Sequence, residues 1–75
     1  MADAAAAQVR EEIDPAQARA AAHLMIGVSE VGLTRLTVQR FDDQQCVRLD
    51  ATCNGEELAK VTSMQAWERA LAEGR

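Results

Sequence analysis

The dipeptide Asn54-Gly55 limits what this chain can fold into more than any other pair of residues. Asparagine followed by glycine accepts positive φ at two consecutive positions, which is what a two-residue type I′ hairpin turn requires. The segment that enters it alternates without a break: Val47, Leu49, Ala51 and Cys53 share one face, and Cys46, Arg48, Asp50 and Thr52 share the other. That is the period of a strand with one buried side. A strand therefore runs into the turn, and a partner strand is predicted to leave it from Glu56 to about Thr62.

Upstream, "LTRLTVQRF" over residues 33–41 is rich in β-branched residues and stops at the polar run Asp42-Asp43-Gln44-Gln45, so it reads as the first strand. Pairing Phe41 with Cys46 across that turn sets Val38 opposite Leu49 and Leu36 opposite Ala51, which brings the apolar positions of both strands to one side. The third strand fits less neatly. With Cys53 opposite Glu56, Leu58 joins Ala51 on the buried face, but Lys60 also turns inward and Val61 outward. A bulge near Ala59, or early entry into the following helix, is the expected repair.

Helices are expected on both sides of this sheet. Asp14-Pro15-Ala16-Gln17 combines a capping carboxylate, a proline at the first helical position and a glutamine three residues after the cap, so a helix starts at Pro15. Its buried stripe is Ala18, Ala21, Ala22, Met25 and Val28 with Leu24 alongside, and either Gly27 or Gly32 ends it. The second helix is predicted over about residues 63–73, opened by a capping box from Thr62 to Gln65, faced by Met64, Trp67, Ala70 and Leu71, and ended at Gly74. One continuous helix over 56–73 is disfavoured: Leu58, Val61, Met64 and Trp67 recur every three residues, which drifts about 60° per step around a helix of 3.6 residues per turn.

The predicted fold class is α+β, a single small domain over residues 14–75 in the order α-β-β-β-α. A three-stranded antiparallel meander has strand two in the centre, with both helices packed on one face. Residues 1–13, rich in alanine and acid, are expected to form an N-terminal arm or short helix. With 75 residues the chain can bury only about 60% of its unfolded surface. Its 48% hydrophobic content is largely alanine, with one Trp, one Phe and no Tyr, so Trp67 is expected to be the largest core contributor.

A net charge of −4 and a pI near 4.8 argue against phosphate backbones and anionic membranes as partners and favour another protein with a basic surface. No signal-peptide pattern and no run of about 18 apolar residues appears, so a cytoplasmic, non-membrane protein is the expectation. No cofactor or metal is expected either. Cys46 and Cys53 lie more than about 20 Å apart along one strand and on opposite faces, which rules out a disulfide between them and leaves Cys53 as an inert core thiol. His23 is the one candidate general base, and neither Cys46, Ser29 nor Ser63 is tied to it in a nucleophile pattern, so no enzyme is expected.

Three acidic pairs stand out: Glu11-Glu12, Asp42-Asp43 and Glu56-Glu57. Gathered with Asp14, Glu68 and Glu73, they would form a negative surface that docks on a basic partner. The candidate partner-binding residues are therefore Asp42, Asp43, Glu56, Glu57, Glu68 and Glu73. Both outer strands have free edges, and the first carries only two charges over nine residues, so a homodimer through a strand edge is a further expectation.

The element order resembles that of the double-stranded RNA-binding domain, but in topology only. That family meets phosphates with a lysine-rich start to its last helix, whereas this chain has Ser63-Met64-Gln65-Ala66 there and no basic residue before Arg69. A helix-hairpin-helix reading would instead resemble the joining proteins of tailed phages. In physical type the chain is similar to small acidic phage-encoded inhibitors of the anti-CRISPR and DNA-mimic kind, and that similarity implies a non-enzymatic inhibitor or accessory protein that docks on a larger complex.

Overall fold

A computed structural model describes residues 13–73, and the chain forms helix α1 (Pro15–Leu24), strands β1 (Leu33–Phe41), β2 (Cys46–Cys53) and β3 (Glu56–Ser63), and helix α2 (Met64–Glu73). The strands form one antiparallel sheet in the order β1-β2-β3, so the α-β-β-β-α meander is as expected. The arm assigned to residues 1–13 falls outside the described residues except for Ile13, which packs against the core. Gly74 and the Glu11-Glu12 pair are outside them as well.

Each turn follows from its residues. Asn54 and Gly55 take φ of 52° and 83°, the pair of positive values that type I′ geometry demands, and Cys53 pairs with Glu56 across them. At the other end of β2, Asp42–Gln44 wind into a 3-10 turn that closes on left-handed Gln45, whose backbone N–H donates to the Asp42 carbonyl at 3.2 Å. The pairing of Phe41 with Cys46, Val38 with Leu49 and Leu36 with Ala51 is as alternation predicts.

Two details of the sheet differ. The β2–β3 register runs without a shift from Cys53↔Glu56 to Cys46↔Ser63, so there is no bulge near Ala59. Lys60 simply occupies an inward position at an edge where its amine reaches water, and Val61 stays 60% exposed on the opposite face. The irregularity sits in β1 instead, where Leu33 pairs with Cys53 and Arg35 with Thr52, leaving Thr34 as the extra residue. Leu33 and Leu36 are three apart and would face opposite sides of a regular strand. The bulge turns both toward the helices, and Leu33 is 1% exposed.

Helix α1 begins as expected: the Asp14 carboxylate accepts the Ala16 N–H at 2.8 Å, with Pro15 at the first helical position. It ends at Leu24, and Gly27 at φ +90° turns the chain away, so Gly32 is not the terminator. Ala18, Ala20 and Ala21 are buried, whereas Ala22 and Leu24 are only partly covered. Helix α2 is capped by Ser63, not Thr62, because β3 continues through Ser63, whose Oγ accepts the Ala66 N–H at 3.0 Å. The Met64 N–H donates to the Gln45 carbonyl at 2.9 Å and ties the start of α2 to the β1–β2 turn.

Both helices cover the face of Val47, Leu49, Ala51 and Cys53, all of them buried. Trp67 is 1% exposed and is the largest fully buried side chain. Leu36, Val38 and Leu58, on the flanking strands, are partly buried against the same cluster. Among the described residues no helix packs on the other face of the sheet.

Candidate functional site

The six acids selected from the sequence do not come together. Asp42 and Asp43 lie in the 3-10 turn at one end of β2, and Glu56 and Glu57 follow the hairpin at the other, about 23 Å away at 3.3 Å per residue. Glu68 belongs with the first pair: Arg40 lies 3.4 Å from its carboxylate and 3.9 Å from that of Asp42, so a cation sits between two of the acids. These exposed pairs contribute little to stability, but they reduce the negative potential at that end. Glu73, at the end of α2, lines a shallow hollow with Arg19, His23 and Glu30 between the two helices.

The hairpin end has a different character. The segment 25–32 that joins α1 to β1 crosses it and is held in several places. Ser29 donates its backbone N–H to the Cys53 sulfur at 3.4 Å, Gly32 donates to Ser29 Oγ at 3.2 Å, and Asn54 donates its backbone N–H to the Gly32 carbonyl at 3.0 Å. Gly32 approaches Asn54 so closely that an added Cβ would lie 2.5 Å from its Oδ1. Leu58 Cδ1 lies 3.7 Å from where a Gly27 Cβ would be. From this anchored segment Ile26 and Val31 project almost entirely into solvent, 97% and 94% exposed, while Met25 and Val28 point into the core.

Scattered exposed aliphatics are ordinary on protein surfaces; two on one short, pinned connection are less so. Glu30 lies between them in sequence, and Glu56 and Glu57 follow the hairpin at the same end of the sheet. Sequence patterning did not select Ile26 or Val31. The signal that could have done so is their phase: neither lies on the Ala18–Ala21–Met25–Val28 stripe, so both large aliphatics were left over once that stripe faced inward.

The face of the sheet opposite α1 and α2 is a polar ladder. Arg35, Thr52 and Glu57 form one row and Thr37, Asp50 and Ala59 the next, with Arg35 Nε donating to Thr52 Oγ1 at 3.4 Å. Arg48 grips Asp50 with two hydrogen bonds, Nε to Oδ2 at 3.0 Å and Nη2 to Oδ1 at 3.2 Å. This grip, opposed by partial desolvation and aided by the charges of Arg48 and Arg35, holds the Asp50 carboxyl below its ordinary range. Because the folded value is the lower one, the contact stabilises the fold above the ordinary carboxylate pKa and is lost as pH falls through the depressed value. An NMR pH titration should find Asp50 protonating at lower pH than an unpaired aspartate, and Arg48→Ala should move it upward. An unchanged Asp50 titration in that variant would contradict the pairing.

Cys53 is buried as expected, with its thiol donating to the Ser29 carbonyl at 3.7 Å, and Cys46 is half-buried on the opposite face. His23 is exposed near the end of α1. Among the described residues no group of three or more His, Cys, Asp or Glu is placed to hold a metal ion, and no helix is long and apolar enough to cross a membrane. No protein-family model matches the chain, and neither a curated protein nor a solved structure proved similar to it.

Proposed function

We propose that this chain is a non-enzymatic protein-binding domain, an inhibitor or accessory protein that docks on a larger complex through its hairpin end. The observation that carries this reading is the pinned 25–32 connection with Ile26 and Val31 held out of the core at the end of the sheet where β3 begins with Glu56 and Glu57. Holding two aliphatics in water on an ordered segment gains nothing for the isolated fold. In a partner's apolar pocket they would be buried with little ordering entropy left to lose. Glu30, Glu56 and Glu57 would meet basic residues at the rim of that pocket, adding orientation and rate of encounter more than affinity. A DNA-mimic surface made from all six candidate acids draws less support, since they are split between two ends and Arg40 sits among those at one of them.

The test is capture of partners from the native cells by tagged chain, followed by titration of the recovered partner against variants. Ile26→Asp combined with Val31→Asp should weaken binding about tenfold or more, as loss of a buried hot spot does. Asp42→Lys combined with Asp43→Lys, at the far end, should leave it nearly unchanged. Equal binding by the loop variant would refute this docking surface, and loss of binding in the far-end variant alone would move the site to the 3-10 turn.

A further inference from the structure

We infer that β3 is a self-pairing edge, and that two copies of this chain join antiparallel across it with their two-fold axis at Leu58. The two free edges of the sheet are not equivalent. β1 is interrupted by the bulge at Thr34, and its far end is occupied by Arg40 reaching toward Asp42 and Glu68. Bulges and engaged charges of that kind blunt an edge. β3 pairs regularly along its whole length, Glu56–Ser63, and among the described residues no further strand pairs with its outer edge.

Hydrogen-bonding direction and charge select one register. The two-residue turn makes Cys53–Glu56 the closing hydrogen-bonded pair, so Glu56, Leu58, Lys60 and Thr62 direct their backbone groups to β2. Glu57, Ala59 and Val61 direct theirs outward, free to meet a second strand. An axis at Leu58 then exchanges backbone bonds between Glu57 of one copy and Ala59 of the other, twice.

In the same register Glu56 stands directly across from Lys60 of the second copy, again twice, at a non-hydrogen-bonded position where side chains come closest. An axis at Glu57 would oppose Glu57 to itself, and one at Lys60 would oppose Lys60 to itself. An axis at Ala59 would set Lys60 against Leu58. Of these, only the Leu58 register matches opposite charges face to face. Lys60, an inward-facing charge on an edge, guards against unspecific strand pairing, and in this arrangement it also specifies the permitted partner.

Sedimentation equilibrium on the purified chain tests the inference through charge exchange. The unmodified chain should dimerise, and Glu56→Lys or Lys60→Glu alone should raise the dissociation constant about ten- to a hundredfold, since each turns two attractive cross-strand pairs into repulsive ones. The double variant Glu56→Lys with Lys60→Glu should restore dimerisation. These residues are exposed, and circular dichroism of each variant should match that of the unmodified chain. A chain that stays monomeric at every concentration overturns the proposal. So does a dimer indifferent to the single reversals, or one that the double exchange fails to restore. The Ile26→Asp, Val31→Asp variant should dimerise normally, which separates this edge from the docking surface.

Discussion

Replacing Trp67 with alanine should lower the free energy of unfolding by about 3–5 kcal/mol, the range for truncating a fully buried large aromatic side chain. At roughly 0.05–0.15 kcal/mol per residue, a chain of 75 residues is held folded by only about 4–11 kcal/mol. The loss is therefore a large share of the total. Trp67 is one of two aromatic residues in the chain, and most of its buried companions are alanine, valine and cysteine, too small to collapse into the vacated space. At about 4–8 °C per kcal/mol for a domain of this size, the thermal midpoint should fall by more than about 10 °C. A midpoint within a few degrees of the unmodified chain would show that the indole does not fill the space between helices and sheet.

Leu49→Ala should have the next largest effect, about 2–5 kcal/mol. Leu49 is 0% exposed in the middle of the central strand, between Val38 and Lys60, and it lies in the core cluster with Trp67. Val61→Thr is the control, on the neighbouring strand but facing away from the helices and 60% exposed, and it should change stability by no more than about 0.5 kcal/mol. Urea denaturation of both variants at a single low protein concentration makes the comparison. Equal losses at the two positions would mean that the sheet buries both faces, contrary to the layer order described above.

Both substitutions fall where local sequence pattern alone dictates the structure. Alternation from Val47 to Cys53 and the Asn54-Gly55 turn carried the centre of the fold, because a strand with one buried face leaves little freedom of register. Asp14 and Pro15 located the start of α1 for a similarly local reason. Non-local contacts were less legible. Local spacing alone does not place the bulge at Thr34, which exists because Leu33 and Leu36 both turn inward against elements distant in sequence. Ser63 displaced Thr62 as the cap because β3 pairs with β2 one residue further than propensity suggests.

The candidate site was legible only in part. Acidic pairs are visible in a sequence, but the length of β2 sets Asp42 and Asp43 apart from Glu56 and Glu57. Arg40, at the end of β1, comes between Asp42 and Glu68 only once α2 folds back toward the turn. Ile26 and Val31 depend on where α1 stops. With the helix ending at Leu24, the next residues become an anchored connection; had it continued to Gly32, they would have been helical surface. The choice between Gly27 and Gly32 rests on packing of the connection against Cys53 and Asn54, which local sequence does not encode.

The layered meander is the premise of both the docking end and the self-pairing edge, and nuclear Overhauser contacts between backbone α-protons test it most directly. At non-hydrogen-bonded positions of an antiparallel pair the α-protons point at one another, and Asp50 and Ala59 occupy such a position. A strong α-proton contact between Asp50 and Ala59, with a matching one between Arg48 and Val61, is the predicted result. Helical contacts from each residue to the third one onward through 56–63, in place of those cross-strand pairs, would contradict the fold and everything built on it.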